Sequence, residues 1–297
     1  LGPQAASTRL QRKLEAGEFV VTVELDPPRG HNIEKLVQGA KLLKERGVEI
    51  LDINDGSLGR VRMSVLPTAI LVREATGLDI NMHFTCRDRT LLGIQADLLG
   101  AHAMDIRNIL AMTGDPPRTG DYVNATAVFD VDAIGLIRIL AGMNQGLDAT
   151  GNSVGEPTAF CVGAALNPAA EEPAREMERF LQKVEAGARW VQTQPVYDLE
   201  VLERFFAGAR SPVPVIVGIL PLHSWRHAEF LHNEVPGITI TDAARARMRS
   251  AGDRALRIGI EMAQELVAEV RRRYAGAYLM PSFGRFEVVA EVLEALR

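Results

Sequence analysis

Apolar positions along this chain follow two spacings that take turns. Residues 33–46 carry Leu36, Val37, Ala40 and Leu43, the three-to-four spacing of a helix with one buried face. Gly47 then supplies a left-handed stop, and residues 48–53 alternate as a strand. The scheme recurs as helix 64–76, Gly77 and strand 79–84, then as helix 90–99, Gly100 and strand 106–112. Beyond a long polar stretch at 118–128, Asp132 is placed to cap a helix over 133–143. Strand 158–164, helix 171–186 closed by Gly187, strand 190–193 and helix 199–209 follow. Strand 213–219 is almost wholly apolar, as a strand covered on both faces should be. A helical region at 242–274, a short strand at 277–280 and a helix from Phe286 close the series.

Adding residues 18–25 at the front gives eight strands, each followed by helix. Strict alternation of the two elements predicts a parallel sheet. Eight units within 297 residues predict an α/β fold of the closed (β/α)8 TIM-barrel type, a single domain with additional C-terminal helices. An open doubly wound sheet is disfavoured, because Asp26-Pro27-Pro28-Arg29-Gly30 stands where a glycine-rich dinucleotide loop would follow the first strand. Residues 1–8 are read as a linker and 9–297 as the barrel.

Composition narrows the function classes. With 47% hydrophobic residues the chain can bury a full core, and a net charge of −5 gives no electrostatic footprint for nucleic acid. The basic run Arg271-Arg272-Arg273 is expected on a solvated face near a helix end. No apolar run approaches the ~18 residues of a membrane span, and no signal peptide is recognised. Cys86 and Cys161 are read as small buried hydrophobes in a reducing, cytoplasmic setting. His223 and His227 have helical spacing but lack the glutamate of a zinc-protease helix, so no metal site is expected.

In a parallel barrel, chemistry gathers at the C-terminal strand ends. Residues 106–112 run into Thr113-Gly114-Asp115, and Pro116-Pro117 forbid continuation as helix or strand. Asp115 is thereby set at a strand mouth, although Asp-Pro-Pro is also an ordinary surface turn. Glu24 ends the apolar run Phe19-Val20-Val21-Thr22-Val23. A carboxyl there is partly desolvated, which suits a general acid; a cross-barrel ion pair is the competing role. His83 lies alone between Met82 and Phe84 and reads first as a satisfied core histidine. Gln194 could read a heterocycle edge or close a loop. Trp225, in the turn over 220–225, could stack on a planar ligand or fill a core.

Several of these pieces together resemble methylenetetrahydrofolate reductase. They are Val23-Glu24-Leu25-Asp26-Pro27-Pro28, His83-Phe84-Thr85-Cys86, residues 108–117, Lys183-Val184-Glu185-Ala186-Gly187-Ala188, Thr193-Gln194 and Gly218-Ile219-Leu220-Pro221. Thr193-Gln194-Pro195-Val196-Tyr197-Asp198 and Val128-Phe129-Asp130-Val131-Asp132 look most like the reductase half of bifunctional homocysteine methyltransferase–reductases. The resemblance implies a flavin-dependent reduction of 5,10-methylenetetrahydrofolate to 5-methyltetrahydrofolate by NADH or NADPH, in a ping-pong cycle through FAD. It assigns Glu24 as general acid and Asp115 as the carboxylate near flavin and pterin. It assigns FAD contacts to Asn54, Asp55, His83, Thr113, Gly114, Asp115, Phe129, Asp130, Gly163, Asn167, Glu176 and Lys183. Gln194, Trp225 and Arg285 would bind the folate. Thr113 stands where many members have Arg, Asp55 where an aromatic is common, Asp130 where a small residue is common, and Asn167 in place of His. The altered charges at Thr113 and Asp55 keep a flavin-independent reductase of the same barrel in play, and a non-catalytic folate-binding barrel is a second rival of another class. Tetrahydrofolate is the expected small-molecule partner. A second copy of the chain, or a methyltransferase domain in a longer parent chain, is the expected protein partner, and no regulatory module is anticipated.

Overall fold

The computed structural model describes residues 7–235 and 237–297. Eight strands close in sequence order into a barrel, and every neighbouring pair is parallel. They are β1 (Val20–Leu25), β2 (Ile50–Ile53), β3 (Asp79–Thr85), β4 (Asn108–Met112), β5 (Cys161–Leu166), β6 (Trp190–Pro195), β7 (Val215–Ile219) and β8 (Gly276–Leu279). The (β/α)8 expectation therefore holds.

Helices α1 (Arg9–Glu15), α2 (Glu34–Glu45), α3 (Val65–Thr76), α4 (Leu91–Ala103), α5 (Ala133–Met143) and α6 (Pro173–Ala186) surround it. They are joined by α7 (Glu200–Phe205), α8 (Trp225–Glu234), α9 (Asp242–Ser250), α10 (Ala255–Arg273) and α11 (Phe286–Val292). Side chains alternate across each strand. The outward set, including Val23, Leu51, Ile80, Ile109, Val162, Val191, Val217 and Ala277, packs beneath the helices in the main core. The inward set starts apolar: Val20, Ile50, Leu110, Cys161, Trp190 and Ile216 cluster with Leu10 of α1, which lies across the N-terminal end.

Several boundaries differ from the sequence reading. Gly100 does not end its helix; α4 runs on to Ala103, and Asp105, at φ +60°, breaks it. The 242–274 region is two helices, because Gly252 takes φ +53° between α9 and α10. Helices α1 and α8 were not anticipated, and α8 starts at Trp225 with Ser224 as its cap. Of the supposed linker 1–8, residues 1–6 lie outside the described residues. Thr8 is buried and caps α1, accepting a hydrogen bond from the Gln11 N–H. Cys86 and Cys161 are free and buried, and burial pushes both thiols up to about 12. Arg271, Arg272 and Arg273 occupy the exposed last turn of α10. No described helix is long and apolar enough to cross a membrane.

Candidate functional site

Strand β1 stops because Pro27 and Pro28 cannot extend it, and this leaves Glu24 half-buried at the C-terminal rim. The Tyr278 hydroxyl, from β8 on one side, donates to Glu24 Oε2. Asn54, just past β2 on the other, hydrogen-bonds the same carboxyl and donates to Asp26 Oδ1 at 2.9 Å. Burial holds the Glu24 pKa well above the ordinary carboxyl value. The negative charges of Asp26 and Asp52 push it further the same way, and the Asn54 hydrogen bond opposes them. Glu24 is thus a carboxyl that keeps its proton where a free glutamate has lost it.

Below the rim the barrel interior is polar. Asp52 is fully buried, and its Oδ1 receives the Asn81 amide, the Gln192 Nε2 at 3.1 Å and the His83 Nε2 at 3.0 Å. With a carboxylate as acceptor, His83 carries its proton on Nε2. The His83 ring also meets Tyr278 edge-on, with centroids 6.0 Å apart. Thr22 Oγ1, Asp52 Oδ2, Asn81 Oδ1, Asn108 Oδ1 and Gln192 Oε1 are buried without a hydrogen-bond partner in the described protein. Buried acceptors of this kind are ordinarily satisfied by ordered water.

The residues expected to touch flavin are carried by β3, by β5, by the segments after β2 and β4 and by α6, and several of them are held by protein partners. Thr113 Oγ1 accepts from the Ala133 N–H at the start of α5, and Asp130 Oδ2 accepts from the Leu91 N–H at the start of α4. Asp55 accepts from the Thr85 N–H and hydroxyl and pairs with Arg89, both partners being largely buried. Gly114, at φ +94°, faces Thr85 and Arg87, and a Cβ there would approach them at 3.0 and 3.2 Å. Asp115 is exposed; its Oδ2 accepts from the Leu58 N–H at 2.8 Å. Phe129 takes φ +45° and packs against the main core. Gly163 lies against the Trp190 ring. The Asn167 N–H donates to Glu176 Oε1, and Glu176 lies 3.6 Å from the Lys183 Nζ. Lys183 is buried and donates to the Ala165 carbonyl at 2.7 Å. Burial lowers its pKa; Arg179 adds to this, and Glu176 opposes it.

The other half of the rim carries the residues assigned to folate. Gln194 is exposed near the end of β6, where the register to β7 shifts. Trp225 packs toward α9, with the Arg245 and Arg249 guanidinium carbons 5.9 and 5.6 Å from its ring centroid. Arg285 is exposed and bonded to Glu287 at 3.1 Å. Nearby, His223 meets both His227 and Phe283 edge-on, and His227 meets Phe283, which takes φ +59°, at a tilt. Burial and the neighbouring His223 bring His227 down to about 4, and burial with Arg285 lowers His223. No cluster of three or more His, Cys, Asp or Glu among the described residues could hold a metal.

Four residues outside the sequence-derived set shape this face. Asp52 and Tyr278 flank Glu24. Arg87 joins the β2 and β4 loops by donating to the Gly56 and Asp115 carbonyls, each at 3.1 Å. Arg89 anchors Asp55 and Asp97. A charge inside the apolar run Ile50-Leu51-Asp52-Ile53 was the available signal for the first of them.

Solved structures share the fold. A 2,3-dimethylmalate lyase matches over 99% of this chain and 86% of its own at TM-score 0.53 and 13% identity. Mycobacterium tuberculosis tryptophan synthase matches over 98% and 99% at TM-score 0.53 and 12% identity. Among curated proteins, the Salmonella typhimurium 5,10-methylenetetrahydrofolate reductase is 27% identical over 72% of this chain and 68% of its own length. The Arabidopsis thaliana methylenetetrahydrofolate reductase (NADH) 1 is 25% identical over 77% of this chain and 40% of its own. A Caenorhabditis elegans relative, probable methylenetetrahydrofolate reductase (NADPH), is 25% identical over 79% and 36%. The chain thus spans less than half the length of these plant and animal relatives. The methylenetetrahydrofolate reductase family model, in contrast, matches residues 9–296, nearly the whole barrel, and this chain belongs to that family.

Proposed function

We propose that this barrel reduces 5,10-methylenetetrahydrofolate to 5-methyltetrahydrofolate with NADH or NADPH, and that Glu24 is the general acid. The observation that carries the reading is a carboxyl at the rim of a barrel of this family, flanked by Tyr278 and Asp52, whose pKa burial raises. Opening the folate five-membered ring requires a proton on nitrogen, and a carboxyl with a raised pKa can deliver one near neutral pH. Gln194 and Arg285 stand on the same side of the rim as Glu24 and Tyr278, suited to an amide-rich heterocycle and to carboxylates respectively.

The set from Asn54 to Lys183 fits a single elongated cofactor. Its residues come from the neighbouring strands β2 to β5, the segments that follow them and α6, and they offer the Asn54 and Asn167 amides, the His83 imidazole, a glycine at φ +94° and, on α6, the buried Lys183 amine beside Glu176. Asn54, His83, Gly114, Asn167 and Lys183 would hold FAD there. Bound FAD would supply the hydride relay between nicotinamide and folate. Asp115, at the end of β4 between the two halves, would orient whichever ring lies over it.

Anaerobic mixing of the purified protein with NADH or NADPH, followed by methylenetetrahydrofolate, tests all parts at once. Flavin absorbance that bleaches with one nucleotide and returns with folate is the expected result. Turnover in colourless protein would support the flavin-independent reductase, and absence of turnover the non-catalytic barrel. Glu24→Gln should reduce folate turnover by about 10²–10⁴-fold while leaving nucleotide oxidation intact.

A further inference from the structure

Glu24 and Asp52 are register partners on adjacent strands, both facing the lumen. Their backbones are therefore about 4.8 Å apart. Asp52 has no solvent contact, and three side chains from two strands, Asn81 and His83 of β3 and Gln192 of β6, converge on one of its oxygens. That arrangement describes an acceptor, a carboxylate fixed in place. Among the described ion pairs its only partner is the His83 ring. On the opposite flank, Tyr278 reaches Glu24 Oε2 as a donor. This leaves Oε1 as the oxygen that carries the acid proton. Among the described residues, the groups facing Glu24 are Asp26 in the loop after its own strand, Asp52 of β2, Asn54 just past β2, Tyr278 from β8, and His83 behind both Asp52 and Tyr278.

We propose that Asp52 and Tyr278 are opposed positioning residues for the Glu24 proton, the buried Asp52 charge retaining it and the Tyr278 hydroxyl favouring its release. This rests on the reading of Glu24 as the acid. A negative neighbour raises the free energy of the ionised carboxyl, whereas a hydrogen-bond donor lowers it. The tyrosine also selects the oxygen, so the acid points the same way in every turnover. Both residues act through Glu24, and neither needs to touch folate.

The two contributions have opposite signs, which makes the test sharp. The probe is the infrared band of the protonated Glu24 carboxyl in the full-length purified protein, assigned by its loss in Glu24→Gln and titrated with pH. Asp52→Asn should move that titration down by about one pH unit and Tyr278→Phe should move it up. Folate turnover should follow, its alkaline limb shifting in the same directions. General loosening of the barrel would move both variants the same way and would overturn the proposal. No shift in Asp52→Asn, as expected if a protonated His83 neutralised Asp52, would also overturn it. Should Asp52→Asn fail to fold, Tyr278→Phe decides alone: a titration that does not rise refutes the opposed pair. The band reports on Glu24 whether or not the protein reduces folate. A failed acid role would show instead as full activity in Glu24→Gln.

Discussion

The Trp190 ring occupies the space a side chain on Gly163 would need: a Cβ on that glycine would come within 2.3 Å of the indole. The two are register partners on β5 and β6, and Trp190 is completely buried. Gly163→Ala should therefore destabilise the fold by about 1–3 kcal/mol through overpacking. Urea denaturation would measure it, and Trp190→Phe in the same background should restore part of the loss. A neutral Gly163→Ala would show that the glycine serves some purpose other than admitting the indole.

Activity should depend on pH through Glu24. Its raised pKa keeps the carboxyl protonated at pH values where an ordinary glutamate is ionised, so folate reduction should persist there. The rate should fall as pH rises through the elevated value. Rate measurements in the folate half-reaction, separated from nucleotide oxidation, would isolate this limb.

Stability should show the same group with its own sign. A carboxyl whose pKa is raised on folding binds its proton more tightly in the folded state. The stability it contributes is present below the unfolded value of about 4.5 and is lost as pH climbs through the folded value. Glu24→Gln should accordingly melt higher than the parent at neutral pH, and the gap should close below about pH 4. A gap that widened in acid would contradict the sign.

Asp55 holds Arg89 and the Thr85 backbone in one buried knot. Asp55→Ala leaves the guanidinium with the half-exposed Asp97 as its one ion-pair partner, and the loss should be about 2–4 kcal/mol in chemical denaturation. Replacing Arg89 by Leu as well should recover part of it, because an under-compensated buried charge is worse than an apolar side chain.

Capping gives a smaller, local effect. Asp132 accepts from the Gly135 N–H at 3.0 Å and pairs with Arg179. Asp132→Ala should cost about 1 kcal/mol, visible as faster amide exchange in the first turn of α5.

The alternation of helical and strand spacing was enough to foresee the barrel, since each unit is a local pattern and closure follows from their number. Glu24 was visible too, because a carboxyl ending an apolar run is conspicuous in one dimension. Asp52, Asn81, Gln192 and Tyr278 were not. Each lies within a strand, and only closure of the sheet makes their shared face an enclosed lumen. Asn81 on β3 meets Gln192 on β6 at one Asp52 oxygen, a contact across 140 residues of chain between Asp52 and Gln192. Helix α8 was hidden for a different reason. Its cap, Ser224, sits directly after a proline-containing strand exit, so the region read as turn. Gly252 was the reverse case, a break inside a spacing that remained helical on both sides.

The helix that precedes the first strand decides how the interior communicates with solvent. Leu10 is fully buried against the apolar end of the lumen, and its N–H is tied to Asp79 Oδ2 at 3.1 Å. The barrel is consequently a cup with a floor, and its contents have one exit. A planar ligand settling on the rim would close that exit. The proton on Glu24 would then have no route to bulk water except through the ligand itself, so once it is delivered its replacement would wait for the product to leave.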